Sequence, residues 1–199
     1  MVVPYGVASR SVSNVTVNLV ASTSVTLSLP VAQARPGLYS QDQTGTGQGA
    51  IFNEDGSLNG VSNPAHLGSI ITLYGTGEGQ TSPAGIDGLI AGNVLPKPVL
   101  RPSVSIGGVN APTIQYYGAV PNAPAGVFQI NVIVPQTLTP AQYPVQVQFG
   151  SATSQSGLLV SSKHPVNTVS FQQAWQSSGG ARTGEVAGRE KSGVVPRHP

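Results

Sequence analysis

The chain has 199 residues and a formal net charge of +2; charged residues make up only 8%, against about 25% in an ordinary soluble protein, and there are 25 Gly, 17 Pro and no Cys. Without Cys there is no disulfide, thiolate nucleophile or thiolate metal site, and because residues 1–163 hold five Lys/Arg and five Asp/Glu, no basic stripe is left there to neutralise nucleic-acid phosphates. No apolar run approaches the roughly 18 residues of a membrane span, and Met1-Val2-Val3-Pro4 lacks the basic start and apolar stretch of a signal peptide, so an export signal is expected upstream of this segment.

Apolar residues, at 39%, recur with period two between Gly, Pro and Asn breaks, the pattern of half-buried strands. Met1 to Pro4 reads as a strand end, Val15 to Leu19 as a second strand, and Val25, Leu27 and Leu29 as the inward residues of a third. Ser69 to Tyr74 is a β-branched run stopped by Gly75, and Val104 and Ile106 lead through a Gly107-Gly108 turn to Thr113–Tyr117, read as a hairpin. Phe128, Ile130, Val132 and Val134 alternate with Gln129 and Asn131, and Pro135, which has no N–H for a ladder, ends the strand. With Val145, Val147 and Phe149 on the same phase, the predicted core is Phe128, Ile130, Val132, Val145, Val147 and Phe149. No stretch before residue 164 keeps helical spacing over three turns, so little helix is expected. From His164 the alternation stops, and a polar segment that contains Trp175 is expected to be disordered, too poor in apolar residues to offset its ordering entropy.

The chain also repeats itself. Met1-Val2-Val3-Pro4 corresponds to Val132-Ile133-Val134-Pro135, Val15–Leu19 to Val145–Phe149, Ala21–Ser24 to Ser151–Ser154 and Leu29 to Leu159, at an offset of 130 with one residue slipped in the first loop. A repeat at domain-sized spacing means tandem modules, not a solenoid. The first copy starts inside what should be a strand, so its early strands are expected to be missing.

Several motifs invite a chemical reading. Gly75-Thr76-Gly77-Glu78-Gly79 follows a strand, but the third glycine of a dinucleotide fingerprint would be Gln80 and no helix follows, so a glycine-rich strand exit is the better reading. Asn53-Glu54-Asp55-Gly56 lacks the closing Glu of a calcium loop and reads as a type I′ or bulged hairpin turn, with Asp42 and Asp87 as the acids that folding would have to add for an irregular site. His66 is the imidazole base of the region expected to fold, placed on a surface loop after Pro64, and no G-x-S-x-G elbow accompanies it. Asp42, Glu54, Asp55, Glu78 and Asp87 are scattered through Gly-rich loops, as solubility alone requires. Tyr116-Tyr117 is the aromatic pair able to stack on a sugar or a protein, one ring expected in the core and the other exposed. Asn14-Val15-Thr16 fits the N-glycosylation pattern, a three-residue match common by chance.

Across residues 36–161 the blocks Pro36-Gly37-Leu38-Tyr39, Gly47 to Asn59, Asn63-Pro64-Ala65, Leu73 to Gly79, Val104 to Val109 and Phe128 to Pro135 appear in one order. In that order they resemble the Solibacter-type uncharacterised C-terminal domain of large acidobacterial proteins. The resemblance implies an immunoglobulin-like sandwich similar to IPT/TIG modules, displayed outside the cell beside other repeats, with no assigned chemistry. That family usually closes its chain, whereas here residues 164–199 follow.

The expected protein is therefore all-β: an immunoglobulin-like β-sandwich over 36–163, preceded over 1–35 by the C-terminal strands of a truncated upstream module and followed by a disordered tail over 164–199. It is expected to be a non-catalytic structural or interaction module of a secreted or surface-exposed bacterial protein, without cofactor, metal or nucleic-acid partner. Its partners would be neighbouring domains of the same protein, other proteins or polysaccharide. The alternative is a carbohydrate or surface-ligand binding module using Tyr116 or Tyr117 and the loops from Gly75 to Pro83.

Overall fold

A computed structural model describes residues 3–18 and 24–166. The expected tail, with Trp175, lies outside the described residues from 167 onward, as do Met1, Val2 and residues 19–23 of the expected first copy. Among the described residues there is no α-helix and one 3-10 turn, Tyr5–Val7. The strands are, in chain order, β1 (Val12–Val17), β2 (Val25–Pro30), β3 (Gly37–Leu38), β4 (Gly47–Gln48), β5 (Phe52–Asn53), β6 (Ala65–His66), β7 (Ile70–Thr76) and β8 (Thr81–Ser82). There follow β9 (Lys97–Pro98), β10 (Pro102–Ile106), β11 (Val109–Asn110), β12 (Ile114–Ala119), β13 (Val127–Ile133), β14 (Gln142–Phe149), β15 (Ala152–Thr153) and β16 (Leu158–Lys163).

Two sheets carry the fold. One runs β12-β13-β7-β3 with β5 also on β7; the other runs β11-β10-β14-β16-β4, with β15 on β14 and β6 on β16. With β3, β7, β13 and β12 as A, B, E and D, and β10, β14 and β16 as C, F and G, this is the strand order of an immunoglobulin-like sandwich. The chain switches sheets early, as β3 pairs antiparallel with β7 while β4 and β6 pair parallel with β16. At the corner entering β14, the Tyr143 hydroxyl donates to the Thr139 carbonyl at 2.9 Å, a tyrosine corner. Its ring fills the space where a Cβ on Gly107 would lie, 2.5 Å away.

The alternation seen in the sequence decides what is buried. In β7 and β13 every second residue is buried, and Ile71 faces Val132 while Leu73 faces Ile130 across the ladder. All six predicted core residues are buried, and Phe128 from one sheet meets Phe149 from the other edge to face, with ring centroids 5.3 Å apart. Burial of each such side chain stabilises by about 1.5–3 kcal/mol.

The expected hairpin from Val104 to Tyr117 is not formed. Gly107 and Gly108, at φ +60° and +78°, turn β10 straight back into β11. Pro112 then offers no N–H to continue that ladder, and the chain crosses so that Ile114–Ala119 joins the opposite sheet beside β13.

β1 and β2 stand outside the sandwich as an antiparallel hairpin of their own. One face carries Val15, Val17, Val25, Leu27 and Leu29; on the other, Asn14 and Ser28, Thr16 and Thr26, and Asn18 and Ser24 are joined by side-chain hydrogen bonds of 2.6–2.9 Å. The first three pairs of the hairpin have the register of the three β14–β16 pairs. Ser13 faces Leu29 as Tyr143 faces Val160, and Asn14 faces Ser28 as Pro144 faces Leu159. The turns before it match as well: Val7 N donates to Pro4 O as Leu138 N does to Pro135 O, and Val31 N to Ser11 O as Ser162 N does to Ala141 O. This corrects the alignment of Leu29 with Leu159. A second one-residue slip, in the turn between the two strands, makes Leu27 and Leu29 the counterparts of the buried Leu158 and Val160.

Candidate functional site

The glycine run ending β7 shapes the most distinctive polar site. Gly77 and Gly79 have φ of +85° and +81°, and a Cβ on either would lie 2.0 Å from the carbonyl oxygen of Arg35 or Gln33. Only glycine lets the segment that leads into β3 lie directly on this loop. The run is thus a strand exit that accepts another backbone, and the residue between the glycines is drawn inside: Glu78 is only 4% exposed. Solubility does not account for this acid.

Glu78 Oε1 accepts from the Tyr5 hydroxyl at 2.8 Å, Gln80 Nε2 donates to Tyr5 O at 2.9 Å, and the Asp87 carboxylate accepts from the N–H groups of Tyr5 and Gly6. The Tyr5 ring rests on Gly85, where a Cβ would come within 2.3 Å of it. Burial raises the Glu78 carboxyl above its usual range; burial, and next the Glu78 charge, raise the Tyr5 phenol. A second phenol, Tyr39, is raised by burial and by the same charge. A carboxylate this enclosed, with an oxygen engaged by a phenol, is arranged to hold Tyr5 in place. A cleft of about 230 Å³ lies alongside, lined by Val3, Pro4, Tyr5, Asp87, Gly88, Pro124 and Ala125.

The other acids each hold backbone. Asp42 accepts from the N–H and hydroxyl of Thr44, and Asp55 from the N–H and hydroxyl of Ser57; those bonds lower both carboxyls. Glu54 accepts from Ile70 N at 3.4 Å. In the Asn53–Ser57 turn Gly56 has the positive φ, +78°, and Asn53 N bonds to Ser57 O: of the two turns expected there, this is the bulged one. Among the described residues no three His, Asp or Glu side chains cluster as metal ligands would.

His66 lies in β6, paired with Lys163 of β16, with its Nδ1 2.6 Å from His164 O, and not on a surface loop. β6 begins directly after Pro64, along the edge that β16 presents. Tyr116 and Tyr117 lie beyond a bulge between Ile114 and Tyr116 and point to opposite faces, facing Asn131 and the buried Ile130 across the ladder; both are half-buried. Tyr117 packs against the core with Lys97 Nζ 5.6 Å from its ring centroid, and the Tyr116 hydroxyl donates to Ala119 O at 2.6 Å.

Sequence reasoning also missed the asparagines. Asn59, 1% exposed, donates to Asn53 Oδ1 and Ser161 O and accepts from Ser161 N and the Gln48 amide. Asn53 in turn donates to Asn63 O and Ser57 Oγ. The Gly47–Asn63 blocks thus bind the early strands to β16. Their signal was the density of Asn in a segment that also carries buried aliphatics, where each amide must find partners.

No family model matches the chain, and neither a curated protein nor a solved structure is found similar to it. Among the described residues no helix is long and apolar enough to cross a membrane.

Proposed function

We propose that the chain is a non-catalytic structural or interaction segment of a multi-domain bacterial protein, secreted or held at the cell surface, in which immunoglobulin-like modules follow one another. The observation that carries this reading is the recurrence of the register of the three β14–β16 pairs in β1–β2, together with the turns that precede them. The engagement of every acid of the sandwich in a structural bond supports it, and so does the resemblance of residues 36–161 to a domain found beside extracellular repeats. Its partners are then neighbouring modules.

A glycan array and polysaccharide co-sedimentation on the whole chain test it, and no retention is expected. Saturable binding abolished by Tyr116→Ala or Tyr117→Ala would replace this reading with that of a carbohydrate-binding module.

A further inference from the structure

We propose that the segment from Glu78 to Asp87, which includes β8, is a receiving site for the corner turn of the preceding module, fixing the angle between consecutive modules where a free swivel would otherwise lie. The inference rests on the tandem reading of residues 3–31 and adds to it a joint with a key and a lock. The key is Tyr5-Gly6. It stands in the turn that leads into β1, the counterpart of Pro135–Leu138 leading into β14. In that second turn the equivalent positions are Gln136 and Thr137, and the same Pro O to N–H bond closes it without a tyrosine. The corner therefore folds without Tyr5, and the side chain is free for another task.

That task is visible in its partners. The hydroxyl, the carbonyl and the N–H of Tyr5 bond to Glu78, Gln80 and Asp87, three residues of one segment of the sandwich, and the ring lies on Gly85 of the same segment. Three bonds in different directions from one residue fix orientation as well as position. A single contact would act as a pivot. The lock is equally particular, since Glu78 is buried among residues that offer its carboxylate the Tyr5 hydroxyl, and Gly85 has no side chain to fill the seat of the ring. Because Gln136 and Thr137 replace the key at the second corner, the joint is directional and specific to this pair of modules.

The test uses the whole chain, as wild type, Gly85→Ala and Tyr5→Ala. Gly85 does not have a left-handed backbone, so the added methyl acts as a wedge against the Tyr5 ring without straining the loop. In the wild type the amides of β1 and β2 should report the rotational correlation time of the sandwich in nitrogen relaxation measurements. Both variants should shorten it for the hairpin alone and speed hydrogen exchange at the Tyr5 and Gly6 amides about tenfold, the factor for one lost charge-assisted hydrogen bond. Tumbling that stays coupled in both variants, with Tyr5 and Gly6 exchange unchanged, overturns the joint. The Val15–Leu27 cross-strand contact is read separately. Its absence in the wild type sinks the tandem reading; slow exchange at Tyr5 and Gly6 then still supports the receiving site, and fast exchange overturns it.

Discussion

β1–β2 and β14–β16 have the same register, the same entering turn and the same apolar phase, yet opposite surroundings. Leu158 in the second is 0% exposed; Leu27, its counterpart, is 58% exposed. The outer edge of β16 is closed by β4 and β6 and stapled by Asn59, whereas among the described residues β2 is paired with β1 alone. The same local pattern is thus core in one place and open surface in the other, so hydrophobic alternation specifies strands and their pairing while burial comes from the opposing sheet. An open two-stranded sheet is marginal by itself and exposed to strand addition.

The largest expected difference is a core deletion. Leu158→Ala should destabilise the sandwich by about 2–5 kcal/mol in urea unfolding, the range for emptying a packed aliphatic site. A loss near zero would mean that β16 is as uncovered in solution as β2. Next comes the closure of the β16 edge. Asn59→Ala removes the acceptor of the buried Ser161 N–H and two donated bonds, and should cost about 1–3 kcal/mol by the same measurement. If the variant unfolds with the wild type, the edge is held by β4 and β6 alone.

The buried and exposed acids should respond to pH in opposite directions. Asp42 and Asp55 have lowered folded values, so their stabilising contribution is present above the unfolded carboxyl range and is lost as pH falls through those lowered values. Glu78 has a raised folded value, so the fold binds its proton more tightly than the unfolded chain does. Its ionisation weakens the fold as pH rises from the unfolded value through the raised one. Glu78→Gln, which keeps an oxygen to accept from Tyr5, should therefore be more stable than the wild type at neutral pH, with the gap closing on acidification. Unfolding curves at a series of pH values check this, and a gap independent of pH would place Glu78 in water.

Strand phase was the most legible feature. The inward residues of β13 and β14 follow from period two, and the glycine strand exit follows from a fingerprint that lacks its third glycine and its helix. What the sequence hid were effects of tertiary proximity. Glu78 reads as a loop acid until Gln33 to Arg35 are seen lying on Gly77 and Gly79, and Tyr5 is 73 residues away from it in the chain. The bulge before Tyr116 is one extra residue that nothing local announces. Leu29 matches Leu159 by residue type, and only the ladder shows that its structural counterpart is Val160.

The smallest expected effect decides whether the open face is open in solution. Leu27→Ala removes the same atoms as Leu158→Ala from a position equivalent in register, but most of that side chain already contacts water. Little apolar surface is then returned to solvent and no cavity is left, so the change in stability should be under about 0.5 kcal/mol, as for other exposed sites. The two variants together form a control in which chemistry, strand pairing and phase are held constant and only the opposing sheet differs. Urea unfolding of Leu27→Ala at low and high protein concentration is the measurement. A loss close to that of Leu158→Ala, growing with concentration, would mean that a second copy covers the hairpin. The same loss at every concentration would mean that the sandwich itself covers it.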